Sequence, residues 1–200
     1  MIYLFSTISI TSINVINILF QALLLELVIF LLIPAVGAVI ESVIVKGIRY
    51  GIAILLGGEI EFAFSNYVLF PGTVIHELSH AFFALITGAK IDEVALFKPE
   101  DGSLGHVSYR PRGNALIRGL QNGLSACAPV IVGLAICYLY ITILFPLFSA
   151  VWHWILGIYI LVSMIFHMNM SVPDLKLYFM GSLSLFAVFF PICVVIFAFA

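Results

Sequence analysis

Residues 71–90 read PGTVIHELSHAFFALITGAK, an apolar run into which His76, Glu77 and His80 are set as H-E-x-x-H. On a helix His76 and His80 lie four positions apart, so both imidazoles project from one face at a separation suited to a single zinc ion. Glu77 stands beside them, where it can take a proton from a metal-activated water. Neighbouring helices can also satisfy a pair of histidines, and the bare motif recurs by chance. Two imidazoles and a carboxylate in so apolar a segment are costly without a function, which favours the metal reading.

The composition says what surrounds the motif. Of the 200 residues 64% are apolar and 9% charged, against roughly 45–50% and 25% in soluble domains. With a mean hydropathy of +1.24, the chain reads as an all-α polytopic membrane protein forming a single domain over residues 1–200, with lipid as its surroundings. A net charge of −2 and no long basic cluster give no footprint for nucleic acid. Cys127, Cys137 and Cys193 lie in apolar runs without C-x-x-C spacing and read as packing residues. The first ten residues lack the charged start and small-residue cleavage site of a removable signal peptide.

Going outward from the motif, Ile13 to Ile40 is long enough for a span, which needs about 20 residues. It contains Gln21, Glu26 and Pro34. Glu26 reads either as part of a proton or substrate path or, preferably, as a buried hydrogen-bonded group. Val43 to Gly58 carries Lys46 and Arg49 and is either a helix with snorkelling basic residues or a re-entrant segment, leaving five or six transmembrane helices. The motif helix is expected from Phe62 to Thr87, irregular at Pro71-Gly72 and capped by Gly88. Residues 91–98 and 103–109 are rich in strand formers and flank Pro99-Glu100-Asp101-Gly102, which predicts a β-hairpin at the membrane surface. Ala115 to Phe145, Val151 to Met168 and Leu175 to Ala200 are the remaining expected spans.

Charge orients the chain. With the 90–118 loop on the cytoplasmic side, Lys46, Arg49 and Lys176 fall on that side too, as the positive-inside rule prefers. Asp174 then returns to the side of the membrane on which His76 and His80 lie. A catalytic zinc needs a third protein ligand, and Asp174 is the topologically allowed choice. His106, His167, Glu93, Glu100 and Asp101 are the other candidates, while His153 belongs to the opposite face. Ser171 and Asp174 also match a capping box, so Asp174 has a role without metal.

Pro71 to Lys90, followed by a strand-like segment and Gly105-His106-Val107-Ser108-Tyr109, resembles the site-2 protease family of intramembrane zinc metalloproteases, in a small form without a PDZ domain. The resemblance implies His76, His80 and Asp174 as zinc ligands, Glu77 as the catalytic base and a transmembrane protein as substrate. Ala128-Pro129 is loosely similar to a small-residue-plus-proline element of the intervening helix. The family surrounds its aspartate with Asn-Pro upstream and a glycine after it; here Asn169 precedes Pro173-Asp174-Leu175.

Such a zinc would lower the pKa of its water from about 15.7 toward 7 while Glu77 moves the proton to the leaving amine. A helical substrate would have to unwind, and could then add as a strand to a hairpin edge. The competing expectation is a non-catalytic zinc-binding membrane scaffold or inactive relative. Glu77 weighs against it, because a structural site closes with four protein ligands and has no use for a base. A zinc transporter would need more intramembrane acids and histidines than this chain supplies.

Overall fold

Why the first half of the chain forms one long rod is clear from what it lacks: between Asn14 and Leu56 no Gly-Pro or Asn-Gly pair interrupts it. The computed structural model describes residues 2–97 and 105–199, with side chains from Asn14 onward. Helix α1 (Ile2–Val39) passes through one wide π-type turn (Ile40–Val45) directly into α2 (Lys46–Leu56). The 43 residues from Asn14 to Leu56 reach about 64 Å at ~1.5 Å per residue, twice a hydrocarbon core of about 30 Å. Val43 to Leu56 is therefore no separate or re-entrant span; it prolongs the first helix, carrying Lys46 and Arg49, until Gly57 ends it.

After Gly57, whose φ of 96° lets the chain turn, come α3 (Gly58–Ala63), a second π-type turn (Phe64–Val68) and the motif helix α4 (Phe70–Ile86). The expected single helix from Phe62 to Thr87 is thus broken, by a 60° bend at Leu69 rather than at Pro71-Gly72. Pro71 causes it: a proline ring clashes with the carbonyl four residues earlier and is tolerated only in a helix's first turn. The backbone groups freed at the bend find partners on α6 (Val151–His167). Tyr159 Oη donates to Val68 O at 2.6 Å, Ser163 Oγ donates to Leu69 O at 2.6 Å, and Gly72 N donates to Ser163 Oγ at 2.7 Å. A Cβ on Gly72 would fall on Ser163 O and His167 Nδ1, so glycine permits this approach of α4 to α6.

Gly88 ends α4 as expected. Its φ is 91°, and Gly88 N and Ala89 N donate to Leu85 O and Ala84 O, the paired bonds of a Schellman motif. Strands β1 (Lys90–Ala95) and β2 (His106–Arg110) pair antiparallel, with an irregularity between Ile91 and Glu93. The predicted turn 99–102, with Glu100 and Asp101, lies outside the described residues.

Helix α5 (Ala115–Leu139) starts on the Asn114 cap and continues through further helical turns to Leu147. Helices α6 and α7 (Val172–Met180) meet at a 66° bend, and α8 (Ser182–Phe199) follows Gly181. The last span was expected from Leu175 with an interruption at Pro191; it starts three residues earlier, on the Ser171 cap, and is divided at Gly181, while Pro191 lies inside α8. Among the described residues three helices are long and apolar enough to cross a membrane, or up to five if each bent pair is one span. The sixth expected span does not exist, because its residues belong to the first helix. The result fits an all-α membrane protein carrying one small antiparallel sheet. One core cluster joins Ala126, Cys127, Tyr178 and Leu185 from α5, α7 and α8, and a second joins Val45, Leu69 and Phe166 around the α4 bend.

Candidate metal centre

The helical spacing of H-E-x-x-H fixes the first two donors. His76 and His80 sit mid-way along α4 with ring centroids 4.8 Å apart. Each ring is held from behind by a backbone carbonyl on a neighbouring element. His76 Nδ1 donates to His167 O at 2.7 Å, and His80 Nδ1 donates to Ser125 O at 2.7 Å. Ser125 Oγ returns a bond to His80 O at 3.0 Å, clamping α4 to α5.

These bonds settle the tautomers, since a carbonyl can only accept. The lone pairs therefore sit on the two Nε2 atoms, which face each other at 3.1 Å. Two lone pairs so placed are satisfied by a proton or a metal cation shared between them. The spacing is close to the edge of about 3.3 Å in a tetrahedron with zinc–nitrogen bonds of ~2.0–2.1 Å. A histidine whose other nitrogen is tied to a carbonyl is the usual pattern for a metal ligand.

Asp174 completes the cluster. Its Oδ2 lies 3.8 Å from His80 Nε2, and donor atoms of His76, His80 and Asp174 all fall within 4.8 Å of one another, a group that could hold a metal ion. The same Oδ2 accepts from Ser171 N at 3.0 Å and Ser171 Oγ at 2.6 Å, while Ser171 Oγ accepts from Asp174 N. The capping box and the approach to the histidines coexist. The cap is what aims the carboxylate, because it fixes the first turn of α7 at the bend after α6.

Glu77, 7% exposed, borders a polar cavity of about 200 Å³ together with His76, Thr73, His167 and Arg49. That volume admits several waters. Gly105, just before β2, lies against the Glu77 side chain, so the hairpin closes over the acid. Arg49 and Ser65, which also line the cavity, are held by Glu61, which accepts from Arg49 Nε at 2.5 Å and Ser65 Oγ at 2.8 Å.

The remaining sequence candidates are placed elsewhere. His167 contributes its carbonyl to His76 while its own ring meets Thr73 Oγ1 at 3.0 Å and Ser163 O at 2.9 Å, a supporting position and not a ligand's. His106 and Glu93 stay on the hairpin, 3.8 Å apart. His153 accepts backbone bonds from Ser149 and Ala150 at the start of α6. Asn169 donates to Glu41 Oε2 at 2.9 Å.

Sequence reasoning missed Ser125, Ser163 and Tyr109. The serines gave no signal beyond polarity in an apolar helix. Tyr109, on β2, reaches back toward α5, with its hydroxyl 3.4 Å from Asn122 Oδ1. Burial raises its phenol above the ordinary range, and the Asp174 charge adds to this against a hydrogen bond with Ser125.

Comparison of the chain with protein-family models, with characterised proteins and with solved structures finds no match. The functional argument therefore rests on the site's own geometry.

Proposed function

We propose that the chain is an intramembrane zinc metalloprotease hydrolysing peptide bonds of membrane-spanning or membrane-adjacent proteins, as the site-2 protease family does. The observation that carries this reading is the convergence of two inward-facing Nε2 atoms and the Asp174 carboxylate within 4.8 Å, with Glu77 buried beside them on a polar cavity. Two imidazoles and one carboxylate are a zinc-type donor set, and three protein ligands leave a position open, as catalytic sites do and structural ones do not. Bound there, zinc would supply Lewis-acid chemistry, activating a water and polarising the scissile carbonyl.

The chain's own residues divide the remaining work. His76, His80 and Asp174 hold the ion, oriented by His167 O, Ser125 O and Ser171. Glu77 accepts the proton of the attacking water and delivers it to the departing amine. The cavity lined by Arg49, Thr73 and His167 gives water a route to Glu77 through an otherwise apolar protein. A transmembrane substrate must lose its helical hydrogen bonds before a carbonyl can react. An unwound segment adding to a free edge of the β1–β2 sheet would regain main-chain bonds, and the Gly105 contact places that sheet against Glu77.

A site toward the cytoplasmic face of the plasma membrane is the proposed location, on the expectation from the sequence that Lys and Arg fall on one side. The test is Glu77→Gln in protein reconstituted with a single-span reporter. Zinc retained with cleavage abolished supports the protease; cleavage at the wild-type rate, or none by the wild type toward any single-span substrate, contradicts it.

A further inference from the structure

Glu26 of α1 is the molecule's least explained side chain. It was expected to be a buried hydrogen-bonded group, yet it is only 6% exposed and neither carboxyl oxygen has a hydrogen-bond partner among the described residues. Glu26 is among the residues lining a cavity of about 230 Å³ that shares no lining residue with the polar cavity at His76 and Glu77. Leaving a carboxyl unpartnered among apolar groups is costly, so intramembrane acids almost always pair.

The cavity wall cannot supply the partner. Tyr178 Oη donates to Phe30 O at 2.9 Å, and Cys127 Sγ donates to Leu124 O. Cys193 adds only a thiol, a weak donor. The remaining wall is apolar, aliphatic at Ile29, Ile33, Leu124, Ile131 and Leu185 and otherwise aromatic; Phe30 is stacked on Tyr178 at 4.7 Å and tilted against Phe186 at 5.2 Å.

An acid lining a cavity together with aromatic side chains is a set that can recognise an organic ammonium, by a charge-assisted hydrogen bond and cation–π attraction together. The volume exceeds the roughly 150 Å³ of a cavity that accepts benzene. Ile29, on the cavity wall, is 45% exposed, so the cavity opens on a surface that would face lipid. We infer that this cavity binds a lipophilic amine entering from the bilayer, its nitrogen bonded to Glu26 and its apolar body packed against Phe30, Tyr178, Phe186 and Phe189.

This site is independent of the protease reading, and its test reads binding alone. The purified full chain in detergent is titrated calorimetrically, against micelle blanks, with 2-phenylethylamine and with its near-isostere 2-phenylethanol. One amine is expected per chain, with the alcohol at least about tenfold weaker. Glu26→Gln should weaken the amine by a similar factor, and Cys193→Leu, which fills the cavity with Glu26 intact, should remove binding. Equal affinity for amine and alcohol, no amine binding by the wild type, amine affinity unchanged by Glu26→Gln, or binding retained in Cys193→Leu overturns the inference.

Discussion

Replacing Gly105 with alanine moves the proposed base without removing it. A Cβ on Gly105 would lie 2.8 Å from Glu77 Cγ and 2.9 Å from Ala95 O. Ordinary contact begins at 3.4 Å, so relief at Glu77 requires a displacement of about 0.6 Å. The Ala95 O contact forces a shift of the Gly105 backbone, opposed by the strand pairing of Ala95 with His106 beside it. The Glu77 side chain yields as well, swinging about an α4 backbone held by the Ser125 bond to His80 O and the Ser163 bond to Gly72 N. A misplacement of about 1 Å at a reacting group can cost 10²-fold, so Gly105→Ala should lower kcat/KM by about tenfold to fiftyfold. Overpacking of this kind costs about 1–3 kcal/mol of stability, too little to empty a site held by three ligands. The assay is cleavage of a single-span reporter in proteoliposomes, with zinc content measured on the same preparation. Full activity in Gly105→Ala, or activity lost only in proportion to lost metal, would refute the reasoning that Gly105 positions Glu77.

Further expectations follow from single contacts. Ser171→Ala removes the hydroxyl bond to Asp174 Oδ2 and the cap on Asp174 N, while the bond from Ser171 N to Oδ2 remains; zinc affinity in a chelator competition should fall about 10–100-fold. Gln121, 1% exposed, ties Thr87 O to Arg112 N, so Gln121→Leu strands two backbone groups and should cost about 2 kcal/mol in a denaturation experiment. Arg110 holds the Asp92 carboxyl below its ordinary value through two hydrogen bonds. The folded state therefore binds fewer protons, and this contribution is complete above the usual Asp value of about 3.9 and lost as pH falls through the lower folded one. Amide exchange in β1 and β2 should accelerate across that acidic window in the wild type and show no such step in Asp92→Asn.

The motif was legible because its chemistry is local: four positions on a helix place His76 and His80 whatever surrounds them. Asp174 was legible only as a topological return, with the capping box offering it a role without metal. In the structure the cap is the means by which the carboxylate is aimed, which no spacing rule contains. Hydropathy found the spans but not their breaks, since Leu69 is apolar and its bend depends on Pro71 inside α4 and on Tyr159 and Ser163 some ninety residues away. The continuation of α1 into α2 was hidden for the opposite reason: Glu41, Lys46 and Arg49 look like a boundary, yet charges end an apolar layer without ending a helix. Glu26 could be picked out as anomalous, but the absence of a partner is a three-dimensional fact.

The central claim is that His76, His80 and Asp174 together hold one zinc ion, and metal stoichiometry after a mild chelator wash tests it most directly. The account predicts close to one zinc per chain in the wild type and in Glu77→Gln, and loss of zinc in His76→Ala, His80→Ala and Asp174→Asn. Zinc retained in full by Asp174→Asn, or none held by the wild type after zinc loading, would contradict it.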